Sequence, residues 1–273
     1  MSVQILAGLP NLSTPLFMLL ELDEPLLQRI YQLEPDPRPE ALFADTELGA
    51  HVELGPWLIQ LTADSAWLTA YRQAPEQWPG VLLSSGRPVD ELLAHLRAML
   101  VVQFEGERKG ILRYYDPQVA SYLFAATEAV ITWLGPIEQL FWHGATWADR
   151  SENISHWHTL RSESTNHGAP PKGRLILDRM QIAALERQQL EAFAYECWQE
   201  HSQAEFNQIL GYLQQGLASG FDDEKSLGAY LEARLTYPQH LSHPQIASGQ
   251  VQFRLQQLQS WLEATPAPSE SQG

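Results

Sequence analysis

Apolar residues in the first half of the chain come in short uninterrupted runs. Leu16-Phe17-Met18-Leu19-Leu20-Glu21-Leu22 is the first, and its length and polar flanks predict a buried strand. Trp57 to Leu61, opened by Gly55-Pro56, and Gly80 to Ser85 predict two more. Between these runs the spacing turns helical. Leu26, Leu27, Ile30 and Leu33 share one face of a helix that Pro35, Pro37 and Pro39 end. Asp64 or Ser65 caps a second helix reaching about Ala74. A third runs from Val89 to about Met99, with Asp90 and Glu91 in its first turn, where the helix dipole favours acids.

Leu100 to Phe104 and Gly110 to Tyr115 flank the polar string Glu105-Gly106-Glu107-Arg108-Lys109, a hairpin signal. Asp116-Pro117 starts a helix, with Asp as cap and Pro in the first turn. From Ile137 to about Leu160 the chain is rich in aromatics and histidines. Ile154, His156, His158 and Leu160 alternate, so a strand there places them on one face of a closing hairpin.

After Arg174 only helical spacing remains. Asp178 caps a long helix carrying Ile182, Leu185, Phe193 and Cys197. Ser202-Gln-Ala-Glu205 fits a capping box ahead of Phe206, Ile209, Leu210 and Leu213. Asp222 caps a third helix with Leu227, Tyr230, Leu231 and Leu235, and Val251, Leu255, Leu258, Trp261 and Leu262 form a fourth. The predicted class is α+β: a mixed α/β lobe with a central β-sheet over 1–165, then an all-helical lobe over 174–264. The polar stretch Ser162 to Gly173 joins them, residues 265–273 form a disordered tail, and no internal repeat is visible. On this division, deleting 174–273 leaves the first lobe folded.

Charge narrows the partners. Lys and Arg number 17 against 33 Asp and Glu, a formal net charge of −16. That field repels phosphate backbones and anionic membrane surfaces, so neither nucleic acid nor membrane insertion is expected. The acidity mainly favours solubility. Neither a basic-then-apolar leader nor a membrane-spanning run appears, and the single cysteine suits a reducing compartment, so the expected location is cytoplasmic.

Catalytic signatures are scarce. His143, His156, His158 and His167 lie close in sequence, and a His-x-His pair on one strand face can hold a metal, so His143, His156 and His158 are the metal candidates. No carboxylate stands at a motif spacing beside them, and packed histidines are the simpler reading. Cys197 sits near an apolar helical stripe, where cysteine is usually a small core residue. There is no nucleophile elbow and no phosphate-cradling glycine loop. No catalytic residue and no cofactor are expected. Among nine tryptophans some are expected at the surface as interface anchors. The candidate partner-binding side chains are Trp142, Trp147, Trp157, Tyr212, Tyr230 and Trp261.

The order of motifs resembles one family. Gly55-Pro56-Trp57-Leu58, Trp78-Pro79-Gly80-Val81-Leu82-Leu83-Ser84-Ser85, Leu96 to Val102, Arg113-Tyr114-Tyr115-Asp116-Pro117 and Leu134-Gly135-Pro136-Ile137 together resemble the bacterial type VI secretion adaptors, over about 15–145. The resemblance implies a cytoplasmic chaperone without catalysis. Its partners would be a toxic effector and the VgrG spike protein onto which the effector is loaded. It also implies that Arg113, Tyr115, Asp116 and Pro117 define the fold. Two alternatives stand beside it: an immunity-type protein that neutralises a toxin, and a metal hydrolase using the three histidines. No oligomeric state follows from the sequence.

Overall fold

The computed structural model of the chain describes residues 3–12, 15–34, 36–62, 64–104, 108–126, 133–162, 174–201, 203–240, 242–246 and 249–265. The chain divides into two compact units, Met1–Gln188 and Gln189–Gly273. The fold is α+β: a large antiparallel sheet with helices in the first unit, and helices in the second.

The first unit is built on seven strands: β1 (Gln4–Leu6), β2 (Leu16–Glu21), β3 (Glu40–Ala41), β4 (Pro56–Leu61), β5 (Gly80–Ser84), and two later ones. Those later strands are Gln139–Gly144 and His156–Arg161, which become β8 and β9 once the smaller sheet is counted. The spatial order is β1-β9-β8-β5-β2-β4-β3, and every neighbouring pair is antiparallel. A second sheet joins β6 (Val101–Phe104), β7 (Arg108–Ile111) and β10 (Leu175–Ile176), with β6 in the middle.

β2 lies inside the large sheet, and Leu16 through Leu20 are all buried. Its run is continuous rather than alternating because both sheet faces are covered. Phe17 and Leu19 meet Leu58, Val81, Leu83, Leu140, Trp142 and Leu160, under helices α3 (Val89–Ala98) and α4 (Pro117–Leu123). Leu16, Met18 and Leu20 meet Ile59, Leu82, Phe141 and Trp157, with α1 (Glu24–Leu33) and α2 (Ala66–Gln73) on that side. Each such side chain taken fully out of water contributes about 1.5–3 kcal/mol. Asp23 and Ser65 cap α1 and α2 through the amides of Leu26 and Leu68.

On the first core face, His95 sits 1% exposed and bonds the Trp133 carbonyl at 2.8 Å. Gly135, at φ +48, passes so close that a Cβ there would lie 2.4 Å from the imidazole. Burial holds this histidine's pKa below the usual value, so it packs as a neutral ring.

Several boundaries differ from expectation. The second hairpin strand is 108–111, not 110–115. The Leu112 amide still donates to the Leu100 carbonyl at 2.8 Å; beyond it the chain leaves the ladder, and the Asp116 amide turns back onto the Arg113 carbonyl to start α4. β9 begins at His156, since the Ile154 amide is already used by the Asp149 carbonyl. Between β8 and β9 stands a short helix, α5 (Trp147–Ser151), with a Thr146/Asp149 capping box. β10 and the first turns of the next helix, α6 (Arg179–Glu200), also belong with the first unit. Leu177 is buried in its core, and Ile182 and Leu185 pack against it. Asp178 and Gln181 exchange bonds at 2.8 and 2.9 Å, capping α6. Of the stretch 162–173, only Ser162 is among the described residues; the tail after Thr265 lies outside them.

The second unit holds the later part of α6 and helices α7 (Phe206–Ala218), α8 (Glu224–Thr236) and α9 (Val251–Ala264). α7 starts at Phe206 with Glu205 as its N-cap and no side-chain cap; Ser202 of the expected capping box lies outside the described residues. α8 is capped by Asp223, one residue later than expected. Arg234 is fully buried at the centre, donating to Gln215 Oε1 and the His240 carbonyl, each at 2.6 Å, with its guanidinium over the Tyr212 ring. Those acceptors and the ring face replace water around a charge that burial otherwise penalises.

Candidate interaction surfaces

The motif Arg113-Tyr114-Tyr115-Asp116-Pro117 forms a corner between β7 and α4. Asp116 accepts from the Gln118 amide at 2.9 Å, and Pro117 takes the first helical position, where no amide is needed. Arg113 lies 3.8 Å from Asp116, but its shorter contact is to Glu21 at 2.7 Å. Tyr115 donates to the other oxygen of Glu21 at 3.1 Å. Burial and the Glu21 carboxylate push the Tyr115 hydroxyl above its ordinary pKa, so it stays a donor. Tyr114 is buried and donates to the Leu96 carbonyl at 2.9 Å. The corner thus ties the end of β2 and the last turn of α3 to the start of α4. Glu21 escaped the sequence reading; its only signal was a single carboxylate inside an apolar run.

The three candidate metal ligands do not converge. In the β8–β9 ladder Trp142 pairs with His158, His143 with Trp157, and Gly144 with His156. Cross-strand partners share a face and successive residues alternate, so His143 lies on the opposite face from His156 and His158. His158 stacks on Trp142 at 5.1 Å and bonds the Gly144 carbonyl at 3.0 Å. His143 meets the Trp157 ring at 5.2 Å. Burial lowers the pKa of both His143 and His158. Among the described residues, no group of three or more His, Cys, Asp or Glu side chains is placed to hold a metal ion. His167 lies outside them. Burial, and after it the neighbouring glutamates, push the Cys197 thiol up to about 11, away from the thiolate form a nucleophile needs.

The aromatic candidates separate by burial. Trp142, Trp157, Tyr212 and Tyr230 are buried in the chain's own core, a correction to their expected role as exposed anchors. Each fills a place already described or bonded: Trp142 donates to Ser121 Oγ at 3.1 Å, and Tyr230 meets His243 Nε2 at 2.5 Å. Trp147 and Trp261 are half-buried. Arg150 lies over the Trp147 ring at 5.3 Å. Trp261 lines a cleft of about 540 Å³ in the second unit with Phe253, Leu258, Ile246 and His243. Phe253 is 51% exposed, and in the first unit Ile5, Leu54, Ile176 and Met180 are each more than 60% exposed. These apolar surfaces were not singled out in the sequence, because no periodicity marks a side chain that faces water.

The first unit also has a polar groove of about 500 Å³ beside the outer edge of β4, lined by Asp36, Arg38, Glu40, Gln60 and Asp90 over Phe17 and Leu58. No helix among the described residues is long and apolar enough to cross a membrane.

Residues 16–130 match the model of a family described as a domain of unknown function, DUF4123. The matched segment runs from β2 past α4 and takes in the Glu21–Arg113–Tyr115 corner. The curated proteins and the solved structures give no match.

Proposed function

We propose that the chain is a type VI secretion adaptor. It binds a toxic effector in the cytoplasm and carries it to the VgrG spike, and it catalyses no reaction. One observation carries this reading: the family match over 16–130 contains four of the five ordered motifs that resemble the adaptors, all but Leu134-Gly135-Pro136-Ile137. The geometry agrees with a holding role. The titratable groups with perturbed pKa values are mostly buried tyrosines and histidines with packing partners, rather than an acid and a base facing a shared space. Partly exposed aromatics and several exposed aliphatic side chains remain at the surface, where a protein partner can cover them.

Co-expression with the spike and effector encoded beside the gene tests the proposal. The tagged chain is expected to co-purify with both. A folded chain that captures neither overturns it. If the captured effector is inactive in the complex, the immunity reading replaces the adaptor.

A further inference from the structure

The β4 edge is open where the ladder should continue. Glu40 pairs with Leu58, Ala41 with Trp57, and the Leu42 amide donates to the Pro56 carbonyl at 2.9 Å. In this register even-numbered residues of β4 direct their N–H and C=O toward β3. The next such residue is Gln60, and the residue opposite it is Arg38. Arg38 does not pair with it. Pro37 and Pro39 flank it without amide hydrogens, and its own backbone turns to φ +41, leaving the strand. On the other side, Gln60 stands opposite Phe17 of β2, in a pair whose hydrogen bonds run through Ile59 and Leu61. The outward N–H and C=O of Gln60 therefore have no partner among the described residues.

The groove lies along this same edge. Its floor is Phe17, Leu58 and Val89, on the sheet face that Gln60 shares, and its rim carries Asp36, Glu40 and Asp90 against one cation, Arg38. Arg38 is already paired with Asp36 at 2.6 Å. Glu40 and Asp90 have no ion pair among the described residues and are exposed. An edge strand left bare is a template for another chain, and most proteins blunt it with lysines or a covering loop. Here the rim charge is negative, so it selects rather than repels a basic segment.

We infer that the β4 edge receives an extended, basic segment of a partner protein, which adds as a strand at Gln60. The segment's backbone bonds the free N–H and C=O of Gln60. The residue opposite Gln60 and its alternate neighbours face the groove. These are lysines or arginines, whose stems lie over Phe17 and Leu58 and whose charges meet Glu40 and Asp90, while the apolar residues between them face the other side of the sheet. The edge serves any partner that bears such a segment, whether or not the chain is a secretion adaptor.

Fluorescence anisotropy with the full chain and labelled octapeptides tests this. The probes are an alternating valine–lysine peptide, its valine–glutamate counterpart, and two valine–lysine peptides N-methylated at alternate residues, one at valines and one at lysines. The lysine peptide is expected to bind at least about tenfold more tightly than the glutamate peptide, with the gap closing in salt. One N-methylated peptide should bind and the other fail, because only one edge of an added strand faces β4. Gln60→Pro removes the outward amide at an edge position, where proline is tolerated, and is expected to abolish binding, whereas Gln60→Ala keeps the amide and the affinity. Equal binding of the lysine and glutamate peptides overturns the inference. So does equal behaviour of the two N-methylated peptides, a readout that needs no variant to fold.

Discussion

Glu21 accepts from two side chains of one distant segment, and the two bonds are unequal. The Arg113 guanidinium and the Glu21 carboxylate are 52% and 42% exposed, so water screens their attraction. Pairs of that kind contribute about 0–1 kcal/mol. Tyr115 is buried, and its hydroxyl donates to a charged acceptor, a bond worth about 1.5–3 kcal/mol. Tyr115→Phe is therefore expected to destabilise the chain more than Arg113→Gln, by about 1 kcal/mol or more, in urea unfolding. The coupling of each to Glu21→Gln in double-mutant cycles should rank the same way. The reverse order would make the ion pair the principal tie. The Arg113–Asp116 contact was legible in the sequence because it is local, three residues apart. The Glu21 contact was not, because nothing in a linear string says which carboxylate 92 residues away will meet an arginine.

Periodicity fixes the interior of an element better than its ends. The continuous apolar run of β2 is readable because both faces are covered, and the helix interiors are readable from their stripes. β1, β3 and β10 have two or three residues each and no period to read; they exist because a neighbouring strand offers free backbone groups. Caps are ambiguous where two eligible residues adjoin. Asp222 and Asp223 both precede α8, and reach decides between them. Asp223 accepts the Ser226 amide at 2.9 Å and the Ser226 hydroxyl at 2.6 Å. These bonds to Ser226 hold the Asp223 carboxyl below its ordinary pKa. Asp223→Ala should lower the thermal midpoint, while Asp222→Ala should leave it nearly unchanged. Equal losses would show that the two aspartates act only through the helix dipole. The histidine segment shows the same limit at the site. The alternation of His156 and His158 was visible, but the face occupied by His143 depends on the β8–β9 register, which no local spacing encodes.

Helical stripes dominate the chain after Arg174, yet the change of pattern does not mark where the first core ends. Leu175 and Ile176 add a strand to β6, Leu177 is buried, and Ile182 and Leu185 of α6 pack on the same cluster. The compact division falls later, between Gln188 and Gln189, inside α6. A helix that begins on one core and continues into another unit looks uniform in sequence, because helical spacing is the same whichever core it serves. A chain ending at Gly173 therefore loses β10 and three apolar side chains from the first core. It leaves the edge of β6 and the surface beneath α6 open to water, a loss of the kind that large-to-small core changes produce at several kcal/mol. A chain ending at Glu200 keeps both. The longer fragment is expected to unfold cooperatively in urea with native-like near-ultraviolet circular dichroism. The shorter one should bind a hydrophobic dye, lose that dichroism and aggregate through its uncovered edge. Equal behaviour of the two fragments would show that the strand and the helix start are passengers on the first unit.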